Sequence, residues 1–455
     1  MNTRILRIEL RRTIAPWTAL ILLVVAIFTV YAIRGPILNS PAAWAREWTS
    51  SALWTRMLLV YLLPIVIGAG ALQGMRDSRS GTVELLGTTP RPAWHRAAKL
   101  AGLLAGLSFL AYAVVFGIAA AQVVARGGYF SFAWLPAFLV GGLAVVAVAC
   151  IGLGAGRALP SPIIAPVLAV VTFVVEAALY LSFLNSTFGE GFLPNQVSLL
   201  APAFADPQTV FATTATSVDI GQTLWFLGLA VTGLLLLVVK SVRVKVFALA
   251  PMALGALIAI PLFPASPADD LVFDRAAAEL VCDGPVCVTR VHEDRLAELV
   301  GPGRETLRLL AKLPGAPTRV VESSAPASFR DVMPRDPGTV FVDLQSYLGQ
   351  HTAPANLPRV LVGGAGVSSC FSVQRDEPRE FAARVVAAAW FIGDLKPFHA
   401  GSYSDQRAAP IAEAAWHALR ALPEPEQQTR ILALRQALLT CHGDALDALV
   451  PGIGR

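Results

Sequence analysis

The chain has 455 residues, of which 55% are hydrophobic and only 15% are Asp, Glu, Lys or Arg. In soluble domains the charged share is about 25%, so this composition excludes an ordinary soluble protein and points to a membrane protein. The net charge of +5 is unevenly spread: residues 1–263 carry a net +9 and residues 264–455 a net −4. The positive charge sits beside apolar runs, where orientation signals belong, so it does not argue for a nucleic-acid partner.

Residues 1–15 interleave Leu6, Ile8 and Leu10 with Arg4, Arg7, Arg11 and Arg12. The apolar run that follows, Pro16 to Ile33, is too long for a signal peptide, and no small-residue cleavage site clearly follows it. A basic interfacial segment therefore leads into a first span over 16–33, and further apolar runs predict spans over 53–73, 98–124, 133–156, 163–184, 221–239 and 246–263. The expected fold class is an α-helical polytopic membrane domain, residues 1–263, followed by a mixed α/β domain, residues 264–455.

Between the second and third spans lies a polar island, Met75 to Lys99, with five basic residues: Arg76, Arg79, Arg91, Arg96 and Lys99. It has room for a short amphipathic helix, with Val83, Leu85 and Leu86 against the membrane domain and Glu84 facing water, before Pro90 and Pro92 break the chain. A docking element for a cytoplasmic partner and a solvated connector held inside by its charge both fit this composition.

With the N-terminus inside, the inner segments hold 13 basic residues and the outer segments 4, namely Arg34, Arg46, Arg56 and Arg126. That bias sets the orientation, and seven spans then put residues 264–455 outside. Arg56 is read as a peripheral charge near the outer end of the second span. Cysteine placement is an independent check. Cys150 lies in the fourth span, while Cys282, Cys287, Cys370 and Cys441 all fall in the C-terminal domain. Four cysteines outside the membrane fit two disulfides, with Cys282 and Cys287 flanking an Asp-Gly-Pro turn and Cys370 and Cys441 left as the second pair. The short CxxC spacing common in zinc sites is absent. Helical spacing marks 293–312, 379–393, 407–421 and 425–449, and β-like runs occur at Thr318–Glu322, Thr339–Leu344 and Arg359–Val362.

Catalytic patterns are missing. There is no G-x-x-x-x-G-K-[ST] phosphate loop, so any ATP-driven work needs an ATPase on another chain; H-E-x-x-H and G-x-S-x-G are absent too. No enzyme activity, metal site or resident cofactor is expected. Glu176 stands out near the middle of the fifth span. An acid at that depth costs about 3 kcal/mol even on lenient insertion scales, so it should face a helix partner or a wet cavity, as a pathway or interface residue or as a structural hydrogen-bonding group. Gly102-x-x-x-Gly106 in the third span and the glycines of the fourth permit close helix packing.

The basic N-terminal helix, two spans and an inner loop reading R-D-x-x-x-G-T-x-E-L-L-x-x-x-P-x-R resemble the ABC-2-type ABC-transporter permease family. The matching residues are Arg76, Asp77, Gly81, Thr82, Glu84, Leu85, Leu86, Pro90 and Arg91, with Lys99 beyond them. The resemblance implies a coupling helix that docks into a separate ATPase subunit, where ATP and magnesium are held. It also implies a second permease copy or related permease, a plasma-membrane location and, by family habit, export. The nearly uncharged segment 185–220 sits where such permeases carry outer re-entrant elements. A seventh span and the C-terminal domain depart from the family's six-span core. The alternative is an extracytoplasmic binding, sensing or enzymatic domain on a degenerate permease anchor; a secondary transporter would need more intramembrane charge than Glu176 and Arg56 supply.

Overall fold

A computed structural model describes residues 13–29, 47–76, 93–125, 127–186, 191–203, 210–239, 241–324, 335–344, 354–370, 377–398 and 403–453. They form two compact units, the first ending at Asp274 and the second beginning at Arg275.

The first unit is helical. Its elements are α1 (Ala15–Phe28), α2 (Trp48–Met57), α3 (Leu59–Gly74), α4 (Ala93–Ala125), α5 (Trp134–Ala158), α6 (Ile164–Ser186), the short α7 (Asn195–Ser198), strand β1 (Ala212–Thr214), α8 (Thr216–Val238), α9 (Val242–Phe247), α10 (Ala250–Leu262) and strand β2 (Leu271–Phe273). Among the described residues, five helices are long and apolar enough to cross a membrane: 97–125, 134–158, 164–186, 216–238 and 243–262, the last running through α9 and α10. The expected second span is not one straight helix. It is α2 and α3, bent by 50° at Leu58, and would make a sixth crossing if the pair acts as one. The bend joins unlike limbs. α2 carries Thr49, Ser50, Ser51, Thr55 and Arg56, all buried, whereas α3 is apolar along most of its length.

α5 is the hub of this unit, and glycine sets how closely its neighbours approach. A Cβ at Gly74 would lie 2.2 Å from the Leu153 carbonyl oxygen, and one at Gly156 2.1 Å from that of Ala71, so α3 and α5 touch backbone to backbone. The seam continues on the other side of α5, where a Cβ at Gly154 would lie 2.5 Å from Gly233 O of α8. Gly102 and Gly106 of α4 behave otherwise: both are exposed, and no described atom comes within 4 Å of a Cβ at either. Their spacing permits helix contact, but the contact in this chain is made by α5.

Helix ends sort into two groups. Gly74 lies beside the Arg157 backbone, and the Lys245 ammonium donates to Ala158 O over 3.1 Å, so the ends of α3 and α5 and the start of α9 meet. At the opposite end of α5, Glu47 bridges to Tyr129 and the Thr213 hydroxyl donates to Ala133 O. β1 and β2 pair antiparallel there, in the register Ala212↔Phe273 to Thr214↔Leu271. This pairing draws residues 264–274 into the first unit, so the boundary falls after Asp274 and not at the expected 263/264.

The second unit has a four-stranded sheet in the order β3 (Leu280–Asp283), β4 (Val286–Thr289), β5 (Arg319–Glu322), β6 (Thr339–Val342). β3 and β4 form an antiparallel hairpin, and β4, β5 and β6 run parallel. Helices α11 (Leu296–Leu310), α12 (Leu357–Val362), α13 (Glu377–Ile392), α14 (Tyr403–Arg420), α15 (Glu424–Thr440) and α16 (Ala445–Leu449) complete it. One buried core runs from Val286 and Val320 through Val386 and Ala387 to Leu434 and Leu446.

Two expectations fail locally. Arg359–Val362, expected as β-like, is helical: Pro358 supplies a first-turn φ, and Leu357 and Leu361 bury one helical turn apart. Expected helix 425–449 is two helices, because Cys441 and Gly443 take positive φ (52° and 82°) and Asp444 starts α16 by accepting hydrogen bonds from the Leu446 and Asp447 amides. Both expected cysteine pairs are bonded, Cys282 to Cys287 across the hairpin and Cys370 to Cys441 between the segment after α12 and the end of α15; Cys150 is free and buried.

The seam gives a paired test. Gly156→Val forces a side chain into backbone and is expected to cost about 3 kcal/mol or more, whereas Gly102→Val should stay within about 0.5 kcal/mol of wild type. Reversible unfolding in detergent measures both.

Candidate functional site

The main buried polar cluster of the first unit is built around Arg56. α2 delivers it from the limb before the bend, and its side chain is 0% exposed, so it is not the peripheral charge expected from its place in the sequence. Tight packing makes room for it: a Cβ at Gly141 would lie 2.9 Å from Arg56 Cγ and 2.3 Å from the Tyr112 hydroxyl.

The guanidinium is spread over two elements. Nε donates to Pro202 O at 2.8 Å, Nη2 donates to Gln222 Oε1, and Nη1 lies 3.8 Å from Asp219 Oδ1. Gln222 extends the clamp, its amide donating to Leu199 O and Ala201 O, each at 2.8 Å. Asp219 is held in turn by the Thr214 hydroxyl at 2.7 Å. Three carbonyls in the non-helical stretch 199–202 thus take donors from side chains of α2 and α8. Leu199 and Ala201 are 1% exposed, so water does not supply those donors. An unsatisfied buried carbonyl costs about 1–3 kcal/mol, and the guanidinium and the Gln222 amide meet that requirement.

A second cluster fixes the other side of this segment. The Asn195 amide donates to Asp270 Oδ1 and Oδ2 (2.8 and 3.1 Å) and to Pro264 O at 3.0 Å. Asp270 O accepts from Ala215 N, which ties β2 to the start of α8. Burial pushes the Asp270 carboxyl up to about 7, with the Asn195 bond pulling the other way and the Asp269 charge adding to the rise.

Glu176 is on α6, and its Oε2 is buried with no hydrogen-bond partner among the described residues. Of the coupling-loop residues, Arg76 is described and exposed at the end of α3, as is Lys99 on α4. Asp77, Gly81, Thr82, Glu84, Leu85, Leu86, Pro90 and Arg91 lie outside the described residues. Sequence reasoning does not single out Asp219, Gln222, Asn195 or Asp270. The available signal is weak: an amide and an acid at the start of a span, and a proline-containing, nearly uncharged stretch before it.

The second unit holds its own buried polar group. His292 Nδ1 is 2.6 Å from Glu322 Oε1, and Glu322 Oε2 accepts from the Thr289 amide and hydroxyl, each at 2.7 Å. With both side chains at most 3% exposed, the group staples β4, β5 and the turn after β4 together. No group of three or more His, Cys, Asp or Glu that could hold a metal ion occurs among the described residues. Comparison with known proteins gives no match to any family model, curated protein or solved structure.

Arg56→Met should strip the donors from Pro202 O and Gln222 Oε1 and cost about 3–5 kcal/mol. Arg56→Lys is expected to recover little, because an ammonium cannot span both acceptors as the guanidinium fork does. Hydrogen exchange at residues 199–203 measures the loosening directly. Asp270 gives a pH test. Its folded value lies above the carboxylate's ordinary one, so the folded state binds the extra proton and the contribution is complete at low pH. It should fade as pH rises from about 4 and be gone above about 7. Exchange protection of 212–214 and 271–273 should fall over that window, and Asp270→Asn should flatten the profile.

Proposed function

We propose that this chain is the membrane-spanning subunit of an ATP-driven exporter of the ABC-2 type, coupled through residues 75–99 to an ATPase on a separate chain. The island carries the family-like residues Arg76, Asp77, Gly81, Thr82, Glu84, Leu85, Leu86, Pro90 and Arg91, and the ATP and magnesium belong to the partner. The observation that carries the reading is the joint between this island and the bundle. α3 runs into the island at Met75, and its last turns meet α5 through glycine, backbone against backbone; α5 meets α8 in the same way. A push on the island reaches three helices with no deformable layer of side chains between them, which is what a coupling element needs.

In this reading the helices rock between inward- and outward-open arrangements against a second copy or a related permease. We count seven spans: the five long helices, the bent α2–α3 pair and α1. The N-terminus and the basic end, with Arg76, Arg157 and Lys245, are cytoplasmic, in keeping with the charge bias. The first unit's last strand, β2, pairs at the opposite end, which supports an extracytoplasmic second unit. Its two disulfides fit an oxidising compartment. A plasma membrane is the setting this implies.

A second reading has its own support. The second unit has a continuous core and two disulfides, features of a domain that binds, senses or catalyses by itself, with the membrane unit as an anchor.

Purification of the tagged full chain from its native host, with mass spectrometry of what accompanies it, separates the two. An ATPase subunit is expected in near-stoichiometric amount, reduced about tenfold or more by Glu84→Arg, a loss of about 1.4 kcal/mol in binding. Absence of any ATPase across several detergents would overturn the transporter reading in favour of the second.

A further inference from the structure

The first unit contains a cavity of about 230 Å³ at the bend of the α2–α3 pair. Trp54, Thr55 and Met57 line it from α2, Leu58 from the bend itself and Val60 from α3; α1, α4 and α6 close the rest. Among the described residues, no Asp, Glu, Lys, Arg or His contributes to the wall. The wall is mostly apolar, with polar groups from Ser51, Tyr61, Gln122 and Tyr180, and two further hydroxyls are turned to their own helices: Thr55 donates to Ser51 O and Thr29 to Val25 O, each at 2.8 Å. The cavity is half again as large as an apolar cavity of about 150 Å³ that stays dry and takes up benzene. Left empty, such a wall forfeits dispersion contacts on one side.

The rim tells which phase supplies the occupant. Ile27, Tyr61 and Ile118 line the opening and are partly exposed (41%, 44% and 38%); the exposed residues of α1, of α3 and of α4 from Gly102 to Ala125 are otherwise apolar. In a membrane protein that surface meets lipid. An ionic solute from water would find no counter-charge here and would lose its hydration, whereas an aliphatic chain loses nothing on entry.

We propose that this cavity is a binding site for one aliphatic chain of a membrane lipid, inserted laterally past Ile27, Tyr61 and Ile118, with its headgroup left outside. The chain contacts both limbs of the bent pair and fills the space that straightening at Leu58 would need to remodel. Occupancy therefore holds the bend.

Trp54 provides the readout. The full chain, delipidated in a neutral detergent, is titrated with a phosphatidylcholine brominated on its acyl chains, and the Trp54 signal is isolated by subtracting the same titration of Trp54→Phe. Quenching of Trp54 is expected to saturate near one lipid per chain. The cavity-filling variants Ala119→Phe and Val60→Phe, on different helices, should abolish that saturable phase. Quenching that rises only in proportion to the lipid-to-detergent ratio, or a saturable phase unchanged in both filled variants, would overturn the site. If neither variant folds, the wild-type curve decides by the same criterion, saturation or proportionality.

Discussion

A chain segment that is neither helix nor strand cannot be buried unless something answers its carbonyls. In this protein residues 199–202 are such a segment, and the answer comes from Arg56 and Gln222. The guanidinium is well suited to that role. It remains charged, spreads its donors in a plane, and reaches both a backbone carbonyl and a side-chain amide on different elements. Asp219 balances the charge from the first turn of α8. Once α2, α8 and the 195–203 segment are tied together, the bend at Leu58 follows as the place where the clamped polar limb gives way to the apolar α3. The same clamp fixes the end of the bundle where β1 and β2 pair.

The other end is organised by the reverse principle, removal of side chains instead of insertion of one. Glycines let α3, α5 and α8 touch through backbone, so these helices have little freedom to slide independently. The polar island emerges from this fused end. In the proposed reading a push delivered at this end would be carried by α3, α5 and α8 together, and the proposed lipid site lies at the bend near Leu58.

How much of this is legible in the sequence varies with the signal. Long apolar runs mark the five long apolar helices to within about five residues, because so many consecutive apolar residues have few other uses; the bend in the second run is not legible. The cysteine pairs are legible from turn chemistry and from elimination. Arg56 misleads, since its place near the end of an apolar run suggests a surface charge; its partners lie 146 and 166 residues away and no local pattern announces them. Gly102 and Gly106 match a packing motif and pack against nothing described, while the seam is carried by Gly74 and Gly156, which close the same spacing at Gly70-x-x-x-Gly74 and Gly152-x-x-x-Gly156; the spacing alone does not tell which copy is used. Arg359–Val362 reads as a strand from its branched residues, and tertiary packing of Leu357 and Leu361 makes it a helix. The β1–β2 pair joins segments far apart in the chain, 212–214 and 271–273, each too short for periodicity to register.

Arg56 and Gln222 act as one unit in holding the buried segment. A double-mutant cycle with Arg56→Met and Gln222→Leu, read by reversible unfolding in detergent, tests it most directly. Strong non-additivity is expected: the double variant should be little worse than Arg56→Met alone, with a coupling of about 1–3 kcal/mol. Costs that simply add, to within about 0.5 kcal/mol, would mean that the two side chains stabilise the fold independently and that no common clamp exists.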